Sequence, residues 1–227
     1  NMTKNGEPAI QTIMEPPTGW ISLNLGEIWS YRELLYFLAW RDILVQYKQS
    51  AIGIGWAVIQ PIALMVVFSV VLGKFAGLPS EDVPYPLLTF AALLPWQLFA
   101  SSVQRSGQSL VGNASLVTKV YFPRLIIPLS ALVVGLVDFL VGLAVYAVLM
   151  VLYGQDLTVN VVALPIFMVF ALITALSISL WLSALNVKYR DVTYVIPFLV
   201  QVGLLVSPVA YSAEIVPGGI WRIIYSL

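Results

Sequence analysis

One carboxylate, Asp138, stands inside an apolar run that extends from Ile126 to Leu152. An ionised side chain at the bilayer centre costs ~2.5–3.5 kcal/mol on insertion scales, so this group should face other helices or a wet cavity. Two roles stay open for it: lining a passage, or a structural hydrogen bond to a Ser or Thr on another helix. Three cations, Arg32, Arg41 and Lys48, cluster ahead of the first long apolar run. Such a cluster attracts an anion, and Arg can engage one bidentately. Anionic lipid headgroups account for it equally well, at about 1 kcal/mol per basic residue. Other chemistry is scarce. The chain has no Cys and no His, which removes thiol nucleophiles, the usual general base and the commonest metal ligands. Its eleven carboxylates lie mostly outside the apolar runs, which argues against a self-contained enzyme, and no metal site is expected. No GxxxxGK[ST] phosphate loop is present: Gly112 to Lys119 has the wrong spacing and no strand precedes it. Work driven by ATP would need a second polypeptide.

The elements that position these groups follow from solvent. Of 227 residues, 60% are hydrophobic and only 10% are charged, against about a quarter charged in soluble domains. So few charges cannot coat a water-facing surface of this size, so lipid must be the solvent over much of it. Net charge is zero, so no basic field points to nucleic acid. The expected class is an all-α integral membrane protein.

A span needs ~20 mostly apolar residues. Five runs qualify, at about 52–73, 86–103, 126–152, 161–185 and 192–211, together a transmembrane domain over 52–211. Pro61 and Pro95 fall inside spans and predict kinks. Residues 1–29 are polar, contain Pro8, Pro16 and Pro17, and hold no apolar core of a cleavable signal. Residues 30–49 carry too many charges to cross, yet Tyr36, Trp40, Ile43 and Tyr47 share one stripe at helical spacing, the composition of headgroup-level helices. A helix in the cytoplasmic interface is expected there; an ordinary packed cytoplasmic helix is the alternative, because Leu34, Leu38 and Val45 lie on another side. With the N-terminus inside, inner segments hold nine Lys and Arg (Lys4, Arg32, Arg41, Lys48, Arg105, Lys119, Arg124, Lys188 and Arg190) and outer segments two (Lys74 and Arg222), so a cytoplasmic N-terminus is expected. After the fifth span, Pro208 and Pro217-Gly218-Gly219 bracket apolar pieces too short to cross. Residues 212–227 are expected to be re-entrant or interfacial on the outer face, with a sixth helix missing beyond them.

The loop from Gly112 to Leu125 is the most informative segment. Asn113 is placed to cap a short helix, and Pro123 to end it and re-aim the chain into the third span. A short helix between two spans can dock a soluble partner and pass its motion on as a lever; a basic loop with turn residues is the plainer reading. The loop Asn186 to Asp191 is shorter, and Asp191 is placed to cap the fifth span.

Several motifs coincide in order and spacing over about residues 30–227. Tyr47-Lys48-Gln49-Ser50-Ala51-Ile52-Gly53, with Trp56 and Gln60-Pro61, resembles the start of the first span in the ABC-2 permeases of polysaccharide export. Gly112-Asn113 through Pro123-Arg124 resembles their coupling-helix loop. Asn186–Asp191 and Ser207-Pro208-Val209 with Pro217 resemble their fifth-span region. The nearest group looks like the O-antigen permeases, with teichoic-acid permeases a close relative. The resemblance implies a homodimer in the bacterial inner membrane beside two ABC ATPase subunits, which hold ATP and Mg, while this chain holds no cofactor. It implies ATPase contact through Asn113, Leu116, Lys119, Phe122, Pro123 and Arg124 and through the interfacial helix. It also implies export of a polysaccharide on polyprenyl pyrophosphate, whose head the cations Arg32, Arg41 and Lys48 would attract. Aromatic planes stack on sugar faces, which makes Trp96, Phe99, Tyr146, Trp181, Tyr194 and Tyr211 channel candidates beside Asp138; lipid contact or helix packing explains each of them too.

Three other functions compete. A permease for a smaller amphiphile or drug shares the fold. A proton- or sodium-coupled secondary transporter would show internal repeats with ionisable groups in corresponding places, and neither is found. An enzyme acting on lipid-linked sugars is disfavoured by the missing His and Cys.

Overall fold

The computed structural model describes residues 25–48, 52–53, 55–75, 83–155 and 163–207. The polar segment before residue 25, Tyr211 and the expected outer-face segment 212–227 lie outside them. Among the described residues there are helices and no strands. They are α1 (Leu25–Ser30), α2 (Arg32–Lys48), α3 (Gly55–Phe68), α4 (Tyr85–Gly112), α5 (Ala114–Lys119), α6 (Ile126–Leu152), α7 (Leu164–Lys188) and α8 (Val192–Val206). A π-helical turn, Ser69–Phe75, continues α3 and makes one apolar rod of 21 residues.

Four rods are long and apolar enough to cross a membrane: α3 with its π turn, α4, α6 and α7. The chain is a multi-pass membrane protein. The fifth run appears as α8, whose 15 residues end at Val206, and most of the remainder expected up to 211 lies outside the description. Helix α4 differs most from its apolar run. Hydrophobicity ends at Val103, but the helix continues through Ser106, Gly107 and Ser109 to Gly112. At 1.5 Å per residue its 28 residues reach ~42 Å, well past the ~30 Å hydrocarbon core.

The extension is explained by packing. Helix α4 contacts α3, α6, α7 and α8 and is the hub of the bundle. Small and hydroxylated residues let backbones approach closely in a membrane interior, where no hydrophobic force brings helices together. The Ser106 hydroxyl donates to the Pro128 carbonyl of α6 at 2.9 Å. A β-carbon on Gly107 would lie 2.8 Å from Ile196 Cδ1 of α8, and one on Gly135 of α6 would lie 3.0 Å from Ser102 Oγ. Larger residues at either place would push the rods apart. Apolar cores fill the rest. Met65, Phe90, Leu94, Leu98 and Phe139 form one, and Val103, Leu132, Ala175, Leu182 and Ile196 form a second. Outward faces of α3, α7 and α8 stay apolar and uncovered, as at Val67, Phe170 and Phe198, which suits a hydrocarbon solvent.

The N-terminal helical region breaks at Tyr31 into α1 and α2. Its aromatic stripe divides. Tyr36 and Trp40 stack with centroids 6.3 Å apart and face outward, while Tyr47 turns inward onto α6. The other side of α2 buries Leu38 and Ala39. Apolar residues thus lie on both sides of α2, Tyr36 and Trp40 outward and Leu38 and Ala39 against the bundle.

Candidate functional site

Three structures meet along α2, and each follows from a residue type that could not be left alone. At the N-terminal half of α2, Leu38 joins Phe122, Ile126 and Ile127 in a third core, flanked by Leu34, Leu35, Leu110, Leu116 and Val117. This core binds α2 to the α4–α6 connection. Phe122 and Leu116 of the expected coupling segment point into it. Lys119, Val120, Tyr121 and Arg124 are exposed beside them, and neither Lys119 nor Arg124 forms an ion pair among the described residues. The segment therefore has an apolar root and a basic, aromatic outer face.

Midway along α2, Arg41 reaches across to the same connection. Its Nη2 donates to Asn113 Oδ1 at 2.9 Å and to Asp42 Oδ1 at 2.7 Å. Asn113 stands at the start of α5 but its side chain makes no capping bond; its amide nitrogen donates back to the Ser109 carbonyl at 2.9 Å. Asn113 is thus a link between α4 and α2 rather than a cap. Asp191 likewise makes no side-chain cap for α8. Arg32 lies over the Trp29 ring at 5.8 Å and Lys48 is exposed, so the three cations do not converge on one point.

At the C-terminal end of α2 the half-buried charge of Asp138 is neutralised. Arg105 Nη2 of α4 meets Asp138 Oδ2 of α6 at 2.8 Å. Gln46 Nε2 donates to Asp138 Oδ1 at 3.1 Å. The Tyr47 hydroxyl donates to Asp138 Oδ1, and Arg105 Nη1 donates to Gln46 Oε1. An ion pair in a low-dielectric interior needs further hydrogen bonds to offset lost hydration, and α2 supplies them. Burial, and then the Asp138 hydrogen bond, push the Tyr47 phenol well above its ordinary range, so it stays a donor. By helical rise, Arg105 is ~10 Å from the Gly112 end of α4 and Asp138 ~18 Å from the start of α6.

Sequence reasoning left Asp138 with Ser or Thr as partners and counted Arg105 as a loop cation. The partner is Arg105, set inside α4. One signal was present. Gln97, Ser101, Gln104, Arg105 and Gln108 recur at helical spacing and form a polar stripe on an apolar rod, and Asp138 lacked a counter-charge.

Beside the ion pair lies a cavity of about 310 Å³, bounded by α2, α3, α4 and α6. Trp56, Gln60, Gln97, Ser101, Gln104 and Asp138 are among its walls. The described aromatic channel candidates lie outside its walls. Trp96 tilts against Phe99 at 5.7 Å and packs over Gly203. Tyr146 stacks on Phe90 at 6.0 Å. Trp181 and Tyr194 are exposed on outer faces. Asn186, placed in a loop by its neighbours, is buried at the end of α7. It donates to the Gly107 carbonyl at 3.2 Å and accepts from Thr193 Oγ1 at 2.9 Å, joining α7, α4 and α8. No cluster of metal-ligating residues occurs among the described residues.

Apolar rods packed around α4, with a half-buried charge pair tied to α2, define a multi-pass membrane bundle. The family model for the ABC-2 type transporter matches residues 33–227, and the chain belongs to that family. It is 31% identical over 186 residues to the O-antigen export system permease protein RfbA of Myxococcus xanthus, covering 82% of this chain and 70% of that one. It is 28% identical over 206 residues to a protein of the same name from Klebsiella pneumoniae, covering 89% and 77%. Similarity at 22% extends to the polysialic acid transport protein KpsM of Escherichia coli, over 80% of this chain and 70% of that one.

Proposed function

We propose that this chain is the transmembrane permease subunit of an ABC exporter that moves an O-antigen-type polysaccharide, linked to polyprenyl pyrophosphate, across the bacterial inner membrane. Two copies form the channel. Two separate ATPase subunits bind ATP and Mg and drive it. The N-terminus and the α4–α6 connection face the cytoplasm, in keeping with the basic bias of those segments.

One observation carries the mechanical part: α2 holds the α4–α6 connection at one end and the Arg105–Asp138 pair at the other. ATP-driven closure of the ATPases pushes on the exposed face of Lys119, Val120, Tyr121 and Arg124. Phe122 and Arg41 pass the push to α2. Helix α2 then displaces Gln46 and Tyr47, which changes how α4 and α6 are held beside the cavity. Packing is dense and resists continuous deformation, so the push resolves into discrete closed and open arrangements.

Pro123→Ala with Arg124→Glu tests the lever, since it loosens the turn into α6 and reverses an exposed charge. The expected result is at least about a tenfold loss of ATPase association or of coupled export, equivalent to about 1.4 kcal/mol, with membrane insertion intact. Unchanged transport would refute the lever.

A further inference from the structure

The cavity beside the ion pair contains an anomaly. Two glutamines nearby are satisfied: Gln46, on its wall, bonds Asp138 and Arg105, and Gln108 Nε2 of α4 donates to the Thr193 carbonyl at 3.3 Å. The other three on its walls, Gln97, Gln104 and the exposed Gln60, form no side-chain hydrogen bond among the described residues. The Gln97 amide nitrogen is buried without a partner. A buried amide nitrogen left unpaired carries an uncompensated desolvation cost, and Gln60 of α3 and Gln104 of α4 open onto the same space. Such a deficit points to a ligand that brings its own donors and acceptors.

The chemistry of that ligand can be narrowed. A carboxamide both donates and accepts, as a hydroxyl does. Arg105 and Asp138 neutralise each other at 2.8 Å, so the walls offer no net charge to a free anion or cation. Trp56 and Gln60, four residues apart on α3, present an aromatic plane beside an amide on one helical face. An aromatic plane with amide hydrogen bonds suits a ring that has apolar faces and a hydroxylated rim. A volume of about 310 Å³ lies at the lower end of the ~300–1,000 Å³ range of small-molecule sites.

We propose that this cavity is a subsite for one segment of the transported polysaccharide, with a sugar ring against Trp56 and its hydroxyls bonded to Gln60, Gln97 and Gln104. The assignment rests on the export reading above. It places sugar recognition within a protomer, on the same wall as the charge pair that α2 controls. Occupancy would satisfy the glutamines, and movement of Gln46 and Tyr47 would alter the wall and release the ring.

The chain has no Cys, so single-cysteine labelling reads the cavity without background. Gln97→Cys and Gln104→Cys on α4 and Gln60→Cys on α3 are introduced separately into the transporter. Each is labelled with a membrane-impermeant methanethiosulfonate in inside-out vesicles. Vesicles from cells that make the lipid-linked polymer are compared with vesicles from cells blocked in its synthesis. Tyr189→Cys, exposed past the end of α7 and outside the proposed ATPase face, is the control and should label alike in both. The proposal expects the cavity positions to label about tenfold more slowly with polymer present, the protection given by ligand at about ten times its dissociation constant. Equal rates with and without polymer at the positions that reach the membrane would overturn it, as would no labelling at any of the three. If cells lacking this chain still export the polymer, the export reading itself falls. If export depends on the chain while labelling ignores polymer, only the subsite falls.

Discussion

Asp138→Leu should give a chain that reaches the membrane but is markedly less stable and exports nothing. The substitution removes the acceptor for Arg105, Gln46 and Tyr47 together and leaves a half-buried guanidinium without a counter-ion. Breaking a fully buried pair from one side costs about 3–5 kcal/mol; this pair, with Arg105 36% and Asp138 22% exposed, should cost less, about 1–3 kcal/mol, whereas replacing both partners by apolar residues of similar volume is often neutral. The double variant Arg105→Met with Asp138→Leu should therefore recover stability. It should not recover export, because Gln46 and Tyr47 would still have nothing to hold. Heating the detergent-solubilised protein and following the monodisperse fraction separates these outcomes. The single variant should melt roughly 2–12 °C below the parent, from about 2–4 °C per kcal/mol in a chain of this size. The double variant should lie close to the parent. Equal melting of single and double variants would show that the pair is not a stability determinant.

Phe122→Ala should have the second largest effect, and a different one. Phe122 is 6% exposed, in the core shared by α2 and the α4–α6 connection. Truncation of a buried Phe costs about 3–5 kcal/mol. Here the cost is local, because the two cores of the spans use other residues. The spans should insert normally, the short helix should lose its root, and ATPase co-purification should drop by at least about tenfold. Full ATPase recovery with a correctly inserted chain would contradict the proposed docking role.

Much of the architecture is legible because hydrocarbon selects composition so strongly. The runs that give α3, α6 and α7 are continuous, and no soluble alternative accommodates them. What the sequence conceals is how helices continue once the apolar run stops. Helix α4 extends nine residues past Val103 on serines, glycine and glutamines, which read as a loop by hydropathy. They are helical because their small side chains allow close packing against α6 and α8. The same error turned Arg105 into a loop cation and hid the partner of Asp138. Asn113 has a cap residue's identity and position, yet its side chain is drawn to Arg41, a long-range contact that local pattern cannot reveal. Aromatic content pointed to Trp96, Tyr146, Trp181 and Tyr194 as channel groups, while the cavity takes its plane from Trp56 and its polarity from glutamines. Residue type marks what can contact sugar; only the bundle shows which residues share one space.

Helix α2 is the element on which the mechanism turns, since it joins a docking surface to a charge pair through three independent contacts. Gln46→Leu with Tyr47→Phe removes its hold on Asp138 while leaving the Arg105–Asp138 pair and the Phe122 core in place. The decisive measurement is the amount of polymer exported per ATP hydrolysed by the assembled transporter carrying this double change. The account predicts retained ATPase assembly and hydrolysis with export per ATP reduced at least about tenfold, the weight of about one buried hydrogen bond. A wild-type ratio would mean that α2 does not carry the motion.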